Sequence, residues 1–226
     1  SGKLPLIPQI SAKYLFELFL SALEISLLFI LFSDNSSLHS VVSKASEEST
    51  ILLYVGRVAF EKNVGLLIDS FDLLATDRPD IYLIVSGEGP AEGFLKRYAA
   101  GKRNHGRIKF IGYLDRSEDL WRCYQSADCF VFGSETETQG LVLLEALASG
   151  LPVVSVASMG SKDVLIEGEG CRIVTNDVED FARVLGELLD SPDDLLELRH
   201  KSKLYARDWE AGQFAALTLE LYEQHV

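Results

Sequence analysis

Two glutamates, Glu137 and Glu145, stand eight residues apart in SETETQGLVLLEALASGLPVV (134–154), where an apolar run ends near Phe132 and a helical pattern begins close to Gly140. The first backbone N–H groups of a helix have no intrahelical partner, and the peptide dipoles add partial positive charge there. The N–H groups of Gln139, Gly140 and Leu141 thus form a ready anion site of the kind that holds phosphate. Glu137 lies just before that start and Glu145 about one and a half turns inside it. A carboxylate beside a diphosphate would be repelled, so its useful chemistry is to accept hydrogen bonds from hydroxyls. A sugar and a ribose supply those. The spacing alone arises often by chance, and it gains specificity from Gly140, Ala146, Gly150 and Pro152 around it.

A second cluster follows an earlier apolar run. In GRVAFEKN (56–63), Gly56 permits close backbone approach, and Arg57 and Lys62 place two cations after ILLYV. An arginine fork can grip a phosphate through two bonds and a lysine adds a mobile point charge. A solvated basic turn is the plainer reading of such a pair. The stretch SGEGPAEG (86–93) is one residue off G-x-G-x-x-G, and no Gly-Lys-Ser/Thr follows, so neither common phosphate loop is present. It reads equally as a tight strand-to-helix turn or as a ligand loop carrying Glu88. No metal is expected. His39, His105, His200 and His225 are scattered without ligand spacing and read as surface residues, and no Asp-x-Asp follows a strand.

These groups need a scaffold, and the pattern from residue 51 onward supplies one. ILLYV (51–55), IYLIV (81–85), RIKFI (107–111), CFVF (129–132), LPVVSV (151–156) and CRIV (171–174) are six candidate strands with little polar alternation. Helical patterns at 63–75, 91–101, 117–127 and 140–148 separate them, and Asp163 opens a shorter helix as a cap or first-turn acid. Strands apolar on both faces between helices imply a doubly wound, Rossmann-like parallel sheet, whose ligands sit at the carboxyl ends of the strands. Three more helices, at 177–190, 193–207 and 210–224, complete the pattern, and their acids read as solvated faces. Trp121 and Trp209 read as packing anchors.

With 226 residues, 21 Lys plus Arg and 34 Asp plus Glu, the chain carries a net charge of −13. That balance argues against nucleic-acid binding, which needs excess positive charge facing phosphates. At 47% hydrophobic and 24% charged, the composition is globular. Cys123, Cys129 and Cys171 are few, odd in number and without CxxC spacing. They read as small buried hydrophobes in a reducing, cytoplasmic setting.

The order GRVAFEKN, SGEGP, FIGYL, ETQGLVLLEALASGLPVV resembles the C-terminal, nucleotide-sugar-binding half of retaining GT-B glycosyltransferases of family 4, from about residue 51 to 209. The resemblance implies an enzyme that transfers a hexose from a UDP- or GDP-type sugar with retention at the anomeric carbon and without a cofactor. It implies that Arg57 and Lys62 bind the donor diphosphate, Glu137 contacts the transferred sugar, and Glu145 takes the ribose hydroxyls. Ile111, Gly112 and Tyr113 would face the base, and the 209–224 helix would cross to a partner domain. Gln139, where many relatives carry Phe, makes the TETQG segment similar to transferases that glycosylate diacylglycerol, so a glycolipid joins soluble sugars and polysaccharides as a candidate acceptor.

The first 50 residues depart from that family. Residues 14–33 form the most apolar stretch, interrupted by Glu17 and Glu24, and residues 33–50 read as a Ser-rich linker. No acceptor-binding Rossmann domain is legible there, so the resemblance implies that an N-terminal GT-B domain is missing and the cleft incomplete. The leading Ser-Gly is compatible with a truncated chain, and a naturally short gene is equally open. The expected division is therefore 1–50, a donor domain over 51–208, and a crossing helix over 209–226. The 14–33 helix is expected to pack on protein, within the chain or across a homodimer, with peripheral contact at the inner membrane face and then a true membrane span as the alternatives. Two other functions stay open: a non-catalytic nucleotide-sugar-binding or assembly module, and a sugar-nucleotide epimerase.

Overall fold

The computed structural model describes residues 49–114, 119–137, 140–207 and 209. The apolar segment 14–33, the Ser-rich linker up to residue 48 and the crossing helix expected over 210–224 lie outside the described residues.

Six strands form one sheet: β1 (Thr50–Val55), β2 (Ile81–Ser86), β3 (Ile108–Gly112), β4 (Cys129–Phe132), β5 (Val153–Val156) and β6 (Cys171–Val174). Every pairing is parallel and the order is β3-β2-β1-β4-β5-β6. Between them run α1 (Val64–Leu74), α2 (Glu92–Ala100), α3 (Asp119–Gln125), α4 (Leu141–Ala148) and a single-turn α5 (Ser161–Val164); α6 (Val178–Asp190) and α7 (Pro192–Arg207) follow β6. The expected doubly wound architecture is what the structure shows. β4 and β5 are buried along their whole length, because mostly apolar side chains on both faces need cover on both sides.

The ends of the elements differ from the sequence pattern for local reasons. β5 begins at Val153, two residues after LPVVSV starts, because Pro152 has no N–H to give a ladder. Its carbonyl still accepts from the Phe130 N–H at 2.8 Å, which keeps β4 and β5 in register. Asp128 ties the start of β1 to its neighbours: one carboxylate oxygen accepts the Ile51 N–H at 2.9 Å and the other accepts from Arg199 of α7 at 2.8 Å.

The acids of α6 do more than solvate a face. Asp177 caps the helix by accepting the Asp180 N–H at 2.9 Å, and Asp180 reaches back to the Thr175 N–H at 2.9 Å and hydroxyl at 2.6 Å. The opposite face of α6 buries Phe181, Ala182, Leu185 and Leu188. It approaches α1 so closely that a Cβ on Gly186 would lie 3.1 Å from the Leu74 side chain.

Cys123, Cys129 and Cys171 are free and buried, as expected, and burial pushes each thiol up to about 12. Trp121 is buried as a packing residue, with its indole Nε1 unpartnered. His105 and His200 are exposed. Among the described residues, no helix is long and apolar enough to cross a membrane, and no group of three His, Cys, Asp or Glu could hold a metal ion.

Candidate functional site

The strand order reverses between β1 and β4, since β2 and β3 lie to one side and β5 and β6 to the other. The connections after β1 and β4 leave in opposite directions there, opening a crevice at the carboxyl edge of the sheet. Both expected clusters fall on these connections.

On the β1 side the turns interlock backbone to backbone. The Gly56 N–H donates to the Ser86 carbonyl at 3.1 Å, the Val58 N–H to the Glu88 carbonyl at 3.0 Å, and the Gly87 N–H to the Gly112 carbonyl at 2.7 Å. A Cβ on Gly87 would fall 1.9 Å from the Gly56 carbonyl oxygen, and one on Gly89 2.4 Å from that of Val58. The glycines of SGEGP therefore serve a close crossing of two turns. Glu88 is exposed on this turn.

Beneath lies Tyr54, fully buried and stacked on Phe132 with ring centroids 6.1 Å apart. Its hydroxyl donates to the Arg57 carbonyl at 3.0 Å, fixing the path of the turn. Burial, reinforced by the charges of Glu137 and Glu61, pushes this phenol well above its ordinary range, so it stays protonated.

A three-part contact joins the two connections. Lys62, on a short 3-10 turn (Phe60–Lys62), donates from Nζ to Oε2 of Glu137 at 2.9 Å. The other oxygen of Glu137, Oε1, accepts the backbone N–H of Gly140 at 3.1 Å. Gly140 caps α4 at φ +69°, a left-handed conformation that favours glycine, and a Cβ there would sit 2.9 Å from Val164. The side chains of Lys62 and Glu137 are only 20% and 14% exposed, so water and salt screen this pair less than a surface pair. The loop carrying Glu137 is tied down on both sides. Thr136 Oγ1 donates to the Glu61 carbonyl at 3.2 Å, and the Gly160 N–H donates to the Glu137 carbonyl at 2.9 Å.

Of the groups expected to converge, Lys62, Glu137 and Gly140 do so in direct contact. The anion held at the start of α4 is the protein's own Glu137 carboxylate, which a helix terminus and a lysine both favour. Arg57 is not drawn into that contact: its side chain is 65% exposed and pairs with Glu61 at 3.5 Å within its own turn. Glu145 is half-buried and accepts from the Tyr124 hydroxyl at 2.8 Å. Ile111 and Gly112 are half-buried at the end of β3, and Tyr113 beyond them is 65% exposed. Leu141 is half-buried, and Gln139 lies outside the described residues.

Sequence reasoning passed over Tyr54 and Tyr124, the two phenols that brace this arrangement. A tyrosine in the otherwise aliphatic ILLYV was the available signal for the first, since a buried phenol needs a partner.

With that geometry in place, similarity to known proteins is informative. The family model for glycosyl transferases group 1 matches residues 36–209. The chain belongs to that family. It is 32% identical over 177 residues to a sulfoquinovosyl transferase of Arabidopsis thaliana, covering 76% of this chain and 33% of that one. It is 29% identical over 179 residues to an alpha-monoglucosyldiacylglycerol synthase of Acholeplasma laidlawii, covering 77% and 44%. The structure of Anabaena HepE in complex with UDP and glucose shares the fold with a TM-score of 0.73 at 19% identity, over 88% of this chain and 55% of that one. The match thus spans 33% and 44% of the length of these two curated relatives, and the chain corresponds to a C-terminal-like domain of the GT-B fold.

Proposed function

We propose that this chain is the donor half of a retaining family 4 glycosyltransferase, transferring a hexose from a UDP- or GDP-type sugar to a lipid acceptor. The observation that carries this reading is the contact of Lys62, Glu137 and the Gly140 N–H at the switch point of the sheet. A leaving diphosphate needs positive charge aimed at it before the bond breaks. Lys62 and the start of α4 offer that without a metal, and Arg57 on its exposed turn adds a second cation once it exchanges Glu61 for phosphate. As phosphate takes Lys62, the Glu137 carboxylate is released to accept a hydroxyl of the transferred sugar.

Glu145 holds the ribose hydroxyls and the exposed Tyr113 ring packs on the base, beside Ile111 and Gly112. UDP in the structural relative supports the nucleotide part of this reading, and the diacylglycerol in the name of the Acholeplasma relative supports a lipid acceptor. An N-terminal GT-B domain outside these 226 residues would supply the acceptor side of the cleft. Such an enzyme would work in the cytoplasm at the inner membrane face, where nucleotide sugars meet lipid. The test is transfer from UDP- and GDP-hexoses to diacylglycerol vesicles by the protein bearing both halves, with the product's anomeric proton read by NMR. A product with the donor's anomeric configuration is expected. An inverted product, or none with any such donor, would overturn the reading.

A further inference from the structure

Tyr124 lies on α3, outside every segment in which chemistry was expected, and only 2% of it is exposed. Its ring packs against Phe130 of β4 at 5.9 Å between centroids, as a core aromatic would, and a phenylalanine would fill that space equally well. The hydroxyl is the informative group. It donates at 2.8 Å to Oε2 of Glu145, one helix away. One turn earlier on α3, the indole Nε1 of Trp121 is buried without a partner, so the helix does not satisfy every polar tip it buries.

We infer that Tyr124 is a positioning residue for nucleotide recognition: its hydroxyl holds the Glu145 carboxylate in the orientation that receives the ribose. This rests on the ribose role of Glu145 proposed above. A free glutamate side chain has three rotatable bonds and loses that freedom when it grips a ligand. A phenol donating to one oxygen fixes the carboxylate plane beforehand and leaves the other oxygen to accept. Tyr124 has no role toward phosphate or base in this account, so its effect must vanish for a ligand without ribose hydroxyls.

The experiment compares calorimetric affinities of the full chain for a nucleoside diphosphate and its 2′,3′-dideoxy analogue, using uridine or guanosine, whichever binds more tightly. Wild-type protein is expected to prefer the ribose form by tenfold or more, the order of a charge-assisted hydrogen bond. Tyr124→Phe should weaken the ribose form by about three- to tenfold and leave the dideoxy form unchanged. In a Glu145→Ala background, Tyr124→Phe should add nothing. A wild type blind to the ribose hydroxyls would overturn the role of Glu145, and with it this inference. A wild type that discriminates, with a Tyr124→Phe variant that discriminates equally, would overturn the role of Tyr124 alone. A measurement on unaltered protein checks this without a variant: the ¹³Cζ resonance of labelled Tyr124 should shift with the ribose nucleotide and stay in place with the dideoxy one. Identical shifts with both would contradict the inference.

Discussion

At the scale of single residues, Glu137 bridges Lys62 and the Gly140 N–H, the two groups proposed to bind the donor phosphate. Its removal should therefore separate two effects. Glu137→Gln should tighten binding of a nucleoside diphosphate lacking sugar by a few-fold, because the competing charge is gone, while lowering transfer by tenfold or more; titration and initial rates read the two. Lys62→Met should weaken the same ligand by tenfold or more and lower stability by about 1–3 kcal/mol, since it removes a charge-assisted hydrogen bond from a largely buried carboxylate. The cysteines give a simpler check. With each thiol pushed up to about 12 by burial, none should react with iodoacetamide at pH 8 in the native protein, and all three should react in denaturant. Lys62 and Glu137 were legible as candidates in the sequence because a cation and an acid after apolar runs stand out, and Glu145 because of its eight-residue spacing from Glu137. Tyr124 was not, because a tyrosine at helical spacing reads as core, and only the folded chain brings α3 beside α4. The pairing of Arg57 with Glu61 was equally hidden, since Arg57 lies outside any helix and spacing alone does not bring the two side chains together.

Among the elements, the turns that bound the crevice depend on backbone approach more than on side chains. Gly87→Ala would drive a methyl into the Gly56 carbonyl from a φ of +126°, so both turns must shift. A loss of about 2–4 kcal/mol in urea denaturation is expected, together with weaker nucleotide binding. The start of α6 tests capping: Asp177→Ala should cost about 1 kcal/mol. Its neighbour Asp180 is held down at about 2, first by the Thr175 hydroxyl and N–H and then by Arg183. A carboxyl lowered by folding stabilises above its ordinary value near 4 and loses that contribution as pH falls toward 2. Asp180→Asn should flatten the fall in stability across that window and leave the rest of the profile alone. The six strands were legible because aliphatic runs bounded by turns have few other uses. Their exact ends were not, since those depend on partners such as Asp128 and on the missing N–H of Pro152. The glycines of SGEGP show the same limit: the sequence marks a turn, but the second turn it crosses comes from residues about 30 positions earlier.

For the whole molecule, the order β3-β2-β1-β4-β5-β6 sets where the proposed donor site lies. It brings the turn after β1 and the loop after β4 together although Lys62 and Glu137 are 75 residues apart. The fold class could be read from the alternation of strands and helices. The meeting of these two connections followed from that class, whereas the direct pairing of Lys62 with Glu137 required coordinates. The central claim, that the donor's diphosphate is gripped between those connections, is tested most directly by ¹⁵N-resolved NMR of the chain titrated with UDP-glucose and GDP-mannose. One of them should shift the amides of Gly56–Asn63, Ile111–Tyr113 and Gly140–Glu145, and Lys62→Met should remove the response. Shifts centred on the amino ends of the strands, or a response that survives Lys62→Met unchanged, would contradict it.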